Sequence, residues 1–60
     1  MERRFVGIED LATYLDVSVN TLRSWVWRKE IPYFKVGRLV KFDLKMIENW
    51  IQGKRVETIV

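Results

Sequence analysis

The stretch that decides the fold runs from Ser18 to Lys29 and reads SVNTLRSWVWRK. Leu22, Trp25 and Val26 stand at positions i, i+3 and i+4, the spacing of one face of an α-helix. Ser18 precedes this pattern and is a favoured N-cap, because its hydroxyl oxygen accepts a hydrogen bond from the first turn. The sequence therefore predicts a short amphipathic helix over residues 19–29, with its apolar stripe toward the core.

The other side of this helix is polar and basic. It carries Asn20, Ser24 and Trp27, with Thr21, Arg23 and Arg28 on the flanks. Asn, Thr, Ser and Arg are the side chains that bind base edges and phosphates in the major groove of DNA. The alternative is an ordinary core helix with a solvated back. Trp27 has three possible roles: stacking on sugar-phosphate, covering an exposed edge of the β-hairpin predicted at residues 33–42, or contacting a protein.

A second apolar stripe lies before the turn Asp16–Val17 and predicts a first helix at residues 8–15. Its members follow the spacing i, i+3, i+4, i+7 and are Ile8, Leu11, Ala12 and Leu15. Glu9 and Asp10 place negative charge in the first turn, where the helix dipole favours it. Two short helices joined by such a turn form a helix-turn-helix, whose second helix enters the major groove.

Residues 33–42 predict a β-hairpin. Aromatic and branched residues flank Gly37-Arg38, which suits a two-residue turn with Gly at its first position. Pro32 requires the preceding helix to end before it. Three basic residues make the hairpin a basic wing, namely Lys35, Arg38 and Lys41.

The C-terminal part predicts a third helix at residues 44–52. Asp43 is its expected N-cap and Gly53 its expected C′ stop. Residues 54–60 have no strong pattern and form either a frayed tail or a short strand. We expect one domain over residues 1–60, mainly α with a small β-hairpin: a winged helix-turn-helix with a two-stranded wing.

Composition excludes several classes of protein. The chain has 60 residues and contains neither cysteine nor histidine, which removes disulfides, the commonest metal ligands and the commonest general base. We therefore expect no catalytic residues, no metal and no cofactor. No stretch has the pattern of a signal peptide or a membrane span, so we expect a cytoplasmic protein.

The positive charge is concentrated in the middle of the chain. Residues 18–42 contain six basic residues against Glu30 alone, whereas residues 1–17 carry a net charge of −2 and residues 43–60 are neutral. A localised basic surface is typical of proteins that bind polyanions. Chance clustering on a solvated face explains the same distribution equally well at this point.

At these residues the sequence resembles the excisionase-type DNA-binding domains, which share the MerR-like winged helix-turn-helix fold. The resemblance covers about residues 5–52 and rests on LATYLDVSVNTLRSWV, IPYFKVGRLVKFD and the closing IENWI. The first motif alone is shared by many helix-turn-helix families. The three together, at this spacing, are specific.

The resemblance implies that the second helix enters a major groove and that the wing contacts the backbone or a neighbouring minor groove. Carried over by position, the DNA contacts are Val19, Asn20, Thr21, Arg23, Ser24 and Arg28 in the helix and Lys35, Arg38 and Lys41 in the wing. Val19 and Ser24 stand where many relatives have a basic residue. Many relatives have a glycine near the position of Lys29, where this helix ends. Lys29 or Glu30 must therefore adopt the backbone conformation that terminates the helix.

The function that the resemblance implies is sequence-specific binding of double-stranded DNA, as an architectural or recombination directionality factor of a phage or integrative element. Its expected partners are DNA, an integrase or recombinase, and further copies of the chain on adjacent sites. A small prophage transcriptional regulator with the same fold is the alternative. A third hypothesis, from another class, is a protein-interaction module that grips its partner with Trp27 and the hairpin and does not bind DNA.

Overall fold

The computed structural model describes residues 4–56 and contains three helices and three short strands. In chain order these are β1 (Phe5–Val6), α1 (Ile8–Leu15), α2 (Val19–Trp27), β2 (Phe34–Val36), β3 (Leu39–Asp43) and α3 (Leu44–Gln52). The strands form one antiparallel sheet in the order β1-β3-β2. The molecule is therefore mainly α with a β wing, the winged helix-turn-helix fold.

The core takes at least one residue from every element except β2. Its buried members are Val6, Leu11, Ala12, Leu22, Ile31, Phe42 and Ile47. Trp25 and Trp50 pack against this core from its edge, as the apolar stripe of the second helix predicts for Trp25, with ring centroids 5.8 Å apart. The indole Nε1 of Trp50 donates a 3.0 Å hydrogen bond to the carbonyl of Glu30 and so ties α3 to the end of α2.

The turn between α1 and α2 is closed by a residue in the left-handed region. Asp16 has φ 57°, and the Val17 N–H donates to the Ala12 carbonyl at 3.0 Å. This is the Schellman arrangement, which satisfies the last carbonyls of a helix. It turns the chain sharply and brings Val17 against the core.

α2 begins as predicted and ends early. The Ser18 hydroxyl accepts a 3.1 Å hydrogen bond from the Thr21 N–H, which confirms the cap. The prediction that this helix continues to residue 29 is wrong, because it ends at Trp27. Lys29 adopts φ 57° and the Glu30 N–H donates to the Trp25 carbonyl at 2.8 Å, a second Schellman closure made without glycine.

The wing has one strand more than the sequence predicts. The hairpin turns at Gly37, whose φ of 63° is the positive value that its turn requires. Beyond the hairpin, β1 pairs with the end of β3 in the register Phe5↔Asp43 and Val6↔Phe42. The two-stranded prediction missed this pairing because β1 has only two residues and its partner is distant in sequence.

Asp43 joins the sheet to α3. Its carboxylate accepts a 3.0 Å hydrogen bond from the Lys45 N–H, which confirms the predicted cap. Arg4 donates to both oxygens of the same carboxylate at 3.1–3.2 Å. These hydrogen bonds from Arg4 are the main reason that the pKa of Asp43 lies below its usual value, and they also raise the pKa of Arg4.

The far end of α3 lies where the sequence predicts it, because the helix ends at Gln52 and Gly53 is its cap. Gly53 is right-handed, with φ −68°, and does not adopt the left-handed conformation that is common just after a helix. The chain instead continues in tight turns, with the Lys54 N–H donating to the Ile51 carbonyl at 2.9 Å. Residues 54–56 have no helix or strand, and the rest of the predicted tail, residues 57–60, lies outside the described residues.

Candidate nucleic-acid interface

One exposed stripe runs along α2, on the side away from the core. Asn20, Arg23, Ser24 and Trp27 are all exposed and stand at positions i, i+3, i+4 and i+7. Leu22, on the opposite side, is completely buried, which fixes the rotation of the helix. The stripe therefore presents an amide, a guanidinium, a hydroxyl and an indole in one row.

Two other candidates in α2 are partly engaged within the protein. Val19 is half-buried and packs against the core. Thr21 is half-buried, and its hydroxyl lies 2.8 Å from the hydroxyl of Ser18 at the helix cap. Both residues are placed beside the exposed stripe and are less accessible than its members.

Arg28 lies just after the last residue of α2. One of its guanidinium nitrogens is 3.6 Å from a carboxylate oxygen of Glu30, and both side chains are about half exposed. An ion pair so exposed is weak. Arg28 is thus accessible but shares its charge with a neighbour.

A groove of about 510 Å³ separates α2 from the hairpin. It brings four of the candidate residues to one place, with Arg23 and Trp27 on the α2 side and Arg38 and Lys41 on the hairpin side. Its floor is apolar and contains Val26, Leu39 and Val40. Lys35 is exposed on β2 and is not part of the lining.

Trp27 lines this groove with a largely exposed side chain. It retains 86% of its possible exposure, although tryptophan normally buries much apolar area. Of its three possible roles, covering the edge of the hairpin is contradicted by this exposure. Stacking on a nucleic acid and contact with a protein both fit it.

Sequence reasoning missed two carboxylates of the groove. Glu9 and Asp10, in the first turn of α1, line it together with Gly7 and Ile8. In the sequence they have the ordinary meaning of charges that favour a helix start, and nothing near them points to the hairpin. Only the packing of α1 against α2 and β3 places them opposite the basic side chains.

On the far side of the molecule, Tyr14 and Glu48 connect α1 to α3. The Tyr14 hydroxyl donates to the Glu48 carboxylate at 3.2 Å. The negative charge of Glu48 is the main reason that the pKa of Tyr14 is raised. This contact is separate from the groove and stabilises the arrangement of helices behind it.

Within residues 4–56 there is no group of three or more acidic, histidine or cysteine side chains that could hold a metal ion. No helix in that same range is both long enough and apolar enough to cross a membrane.

The fold and the exposed stripe of α2 define a class: this is a small helix-turn-helix protein of the DNA-binding kind, with a basic wing. The sequence profile of the helix-turn-helix domain family matches residues 5–55. The chain belongs to this family. Among curated proteins and solved structures, none matches it.

Proposed function

We propose that this chain binds double-stranded DNA sequence-specifically as a protein of the excisionase type, an architectural or recombination directionality factor of a phage or integrative element. The observation that carries the proposal is the groove between α2 and the hairpin. Arg23 and Trp27 of the helix face Arg38 and Lys41 of the wing across it. A recognition helix and a basic wing on one surface are the parts that a winged helix-turn-helix uses on DNA.

The exposed stripe of α2 reads bases in the major groove. The guanidinium of Arg23 suits the two acceptors of guanine, and the amide of Asn20 suits the donor and acceptor of adenine. Ser24 hydrogen-bonds to either kind of partner. Val19, Thr21 and Arg28 flank this stripe and contact the neighbouring backbone.

The wing holds the DNA through its charge. Lys35, Arg38 and Lys41 neutralise phosphates and release counterions, which adds affinity without reading sequence. Trp27 packs its indole against sugar or base at the end of the recognition helix, where its apolar surface loses contact with water.

One such module covers a short site and binds modestly by itself. Useful affinity therefore requires several copies on adjacent sites, which bend the DNA and assist a recombinase. No catalytic residue is part of this proposal.

The test selects binding sites from a pool of random duplexes, with wild-type protein and two variants. Arg23→Ala is expected to relax the consensus at one or two positions, at a cost of roughly 1–3 kcal/mol for its guanine contact. Arg38→Ala is expected to keep the consensus and weaken binding to all sequences alike. If the selection yields no consensus, or if Arg23→Ala keeps the wild-type consensus, then α2 does not read the DNA sequence.

The excisionase role has its own test in the host element. Deleting the gene from a lysogen should abolish or strongly reduce excision while integration continues. Unchanged excision with altered transcription near the gene would instead identify a small prophage regulator that uses the same DNA-binding surface.

A further inference from the structure

The sheet has a second face, on the side of β2 and β3 away from the core. The register of the strands places Phe34 beside Lys41 and Val36 beside Leu39, all pointing away from the core. Phe5 joins them from β1, opposite Asp43. We call this the outer face; its residues are Phe5, Phe34, Val36, Leu39, Lys41 and Asp43.

The outer face is mostly apolar, and nothing within residues 4–56 covers its four apolar side chains, whereas Asp43 is buried. Phe5, Phe34, Val36 and Leu39 retain 50%, 41%, 59% and 59% of their possible exposure. The rings of Phe5 and Phe34 meet edge to face, 5.9 Å apart, and with the neighbouring strands they line a hollow of about 470 Å³. Contiguous exposed apolar side chains on a small protein indicate an interaction site.

The hollow is lined by all three residues of β2, which is an edge strand. Because the strand order is β1-β3-β2, one side of β2 faces no other strand among residues 4–56. The free N–H and C=O groups of such an edge accept an added strand, and its alternate side chains extend one face of the sheet. An extended segment beside Phe34–Val36 would lay every second side chain on the outer face.

The charges around the hollow determine which side chains an added extended segment should carry. Lys35 and Lys41 both line it. The carboxylate of Asp43 on the same face is already bound by Arg4. A segment that approaches this edge therefore meets positive charge, and acidic side chains complement it.

The same charges argue against a second copy of the chain. Lys35 is the middle residue of β2. In a symmetric antiparallel pairing of two β2 edges, the two Lys35 residues would stand directly opposite each other, and like charges at that position destabilise a strand pair. A lysine in an edge strand is a common protection against self-pairing.

We propose that the outer face and the free edge of β2 bind an extended acidic segment of a partner protein, with apolar side chains at alternate positions. The apolar side chains cover Phe34 and Val36, and the carboxylates lie near Lys35 and Lys41. This surface shares Lys35 and Lys41 with the wing but includes no residue of the exposed stripe of α2. A chain that fails to bind DNA still supports the inference if it binds such a segment.

The experiment selects binders for the immobilised full chain from a phage-displayed library of random peptides. The enriched peptides are expected to hold more Asp and Glu than Lys and Arg, with apolar residues at alternate positions. The best peptide is then synthesised and titrated against Phe34→Thr and Val36→Thr. Each change should weaken binding about tenfold, while Thr, which is β-branched, still suits a strand.

Val56→Thr is the matched control, because Val56 is 86% exposed and lies after α3, outside the sheet. It should bind the peptide as the wild type does. Thermal melting by circular dichroism confirms that each variant is folded, and a variant that does not melt cooperatively is replaced by Phe34→Tyr or Val36→Ser.

Three results would overturn the proposal. The first is a selection that enriches no peptide, or only peptides insensitive to Phe34→Thr and Val36→Thr. The second is self-association in sedimentation experiments that Val36→Thr abolishes and Val56→Thr does not, since the occupant is then a second copy. The third is a loss of duplex DNA binding in Phe34→Thr and Val36→Thr but not in Val56→Thr, because the outer face then binds DNA.

Discussion

The affinity of this protein for duplex DNA should fall steeply with salt, and the wing determines how steeply. We assign phosphate contacts to three cations, Lys35, Arg38 and Lys41. Arg28 also lies beside the DNA backbone in this proposal but is not counted, because it shares its charge with Glu30, 3.6 Å away. Each phosphate contact contributes about −0.9 to the slope of log affinity against log salt, so the slope should be about −2.7 and affinity should fall about 40-fold between about 50 and about 200 mM salt.

Removing one of these contacts has a defined consequence. Arg38→Ala should reduce the slope to about −1.8, with only an approximately 12-fold loss over the same salt range. The assay is titration with a mixed-sequence duplex, followed by tryptophan fluorescence and checked by gel shift. Lys45→Ala serves as the matched control, since Lys45 is exposed on α3 and is not part of the groove. Its slope should equal that of the wild type.

Two results would refute this reasoning. A slope near zero for the wild type would mean that phosphate neutralisation contributes little, and the basic wing would lose its proposed role. Equal slopes for Arg38→Ala and the wild type, or an equal reduction in Lys45→Ala, would mean that the contacts are not those of the wing.

Three further predictions concern single residues. Lys29→Gly should raise the free energy of unfolding, measured in urea, by about 0.5–1 kcal/mol. A left-handed conformation costs an L-amino acid about 1–2 kcal/mol, and the greater entropy that glycine gives the unfolded chain cancels roughly half of the gain. Asp16→Gly should stabilise less, because Asp tolerates that conformation better, and a destabilised Lys29→Gly would contradict the strain argument. Trp27→Ala should lower DNA affinity and leave the melting temperature unchanged, because the indole is 86% exposed; a large drop in melting temperature would show that it stabilises the fold. Arg4 lowers the pKa of Asp43, so their contribution to stability is complete above the usual pKa of 3.8 and is lost as the pH falls below it. Arg4→Gln should therefore be less stable than the wild type at neutral pH, with a difference that shrinks in acid; a constant difference across this range would contradict the ion pair.

Features that depend on neighbouring residues could be predicted from the sequence. The bounds of α1 follow from four apolar residues at helical spacing, and the start of α2 follows from the hydroxyl of Ser18. The hairpin turn follows from Gly37, because few other residues adopt its φ of 63°. Even the left-handed conformation of Lys29, just after α2, was foreseeable, because many relatives have glycine near that position.

Features that depend on distant residues could not be predicted. Arg4 and Asp43 are 39 positions apart, and no local pattern connects them. The third strand has only two residues, too few for any alternation. Glu9 and Asp10 have the ordinary composition of a helix start, so their place in the groove became visible only with α1 packed against its neighbours.

The sequence by itself thus determined which segments of this protein are helix, turn and hairpin, because capping, glycine geometry and apolar spacing act over a few residues. It also determined that the exposed side of α2 is polar and basic. The tertiary structure alone decided that Arg23 and Trp27 share a groove with Arg38 and Lys41, and that Phe5 meets Phe34 on the outer face. Those neighbours come from separate elements, and only the burial of a common core brings them together.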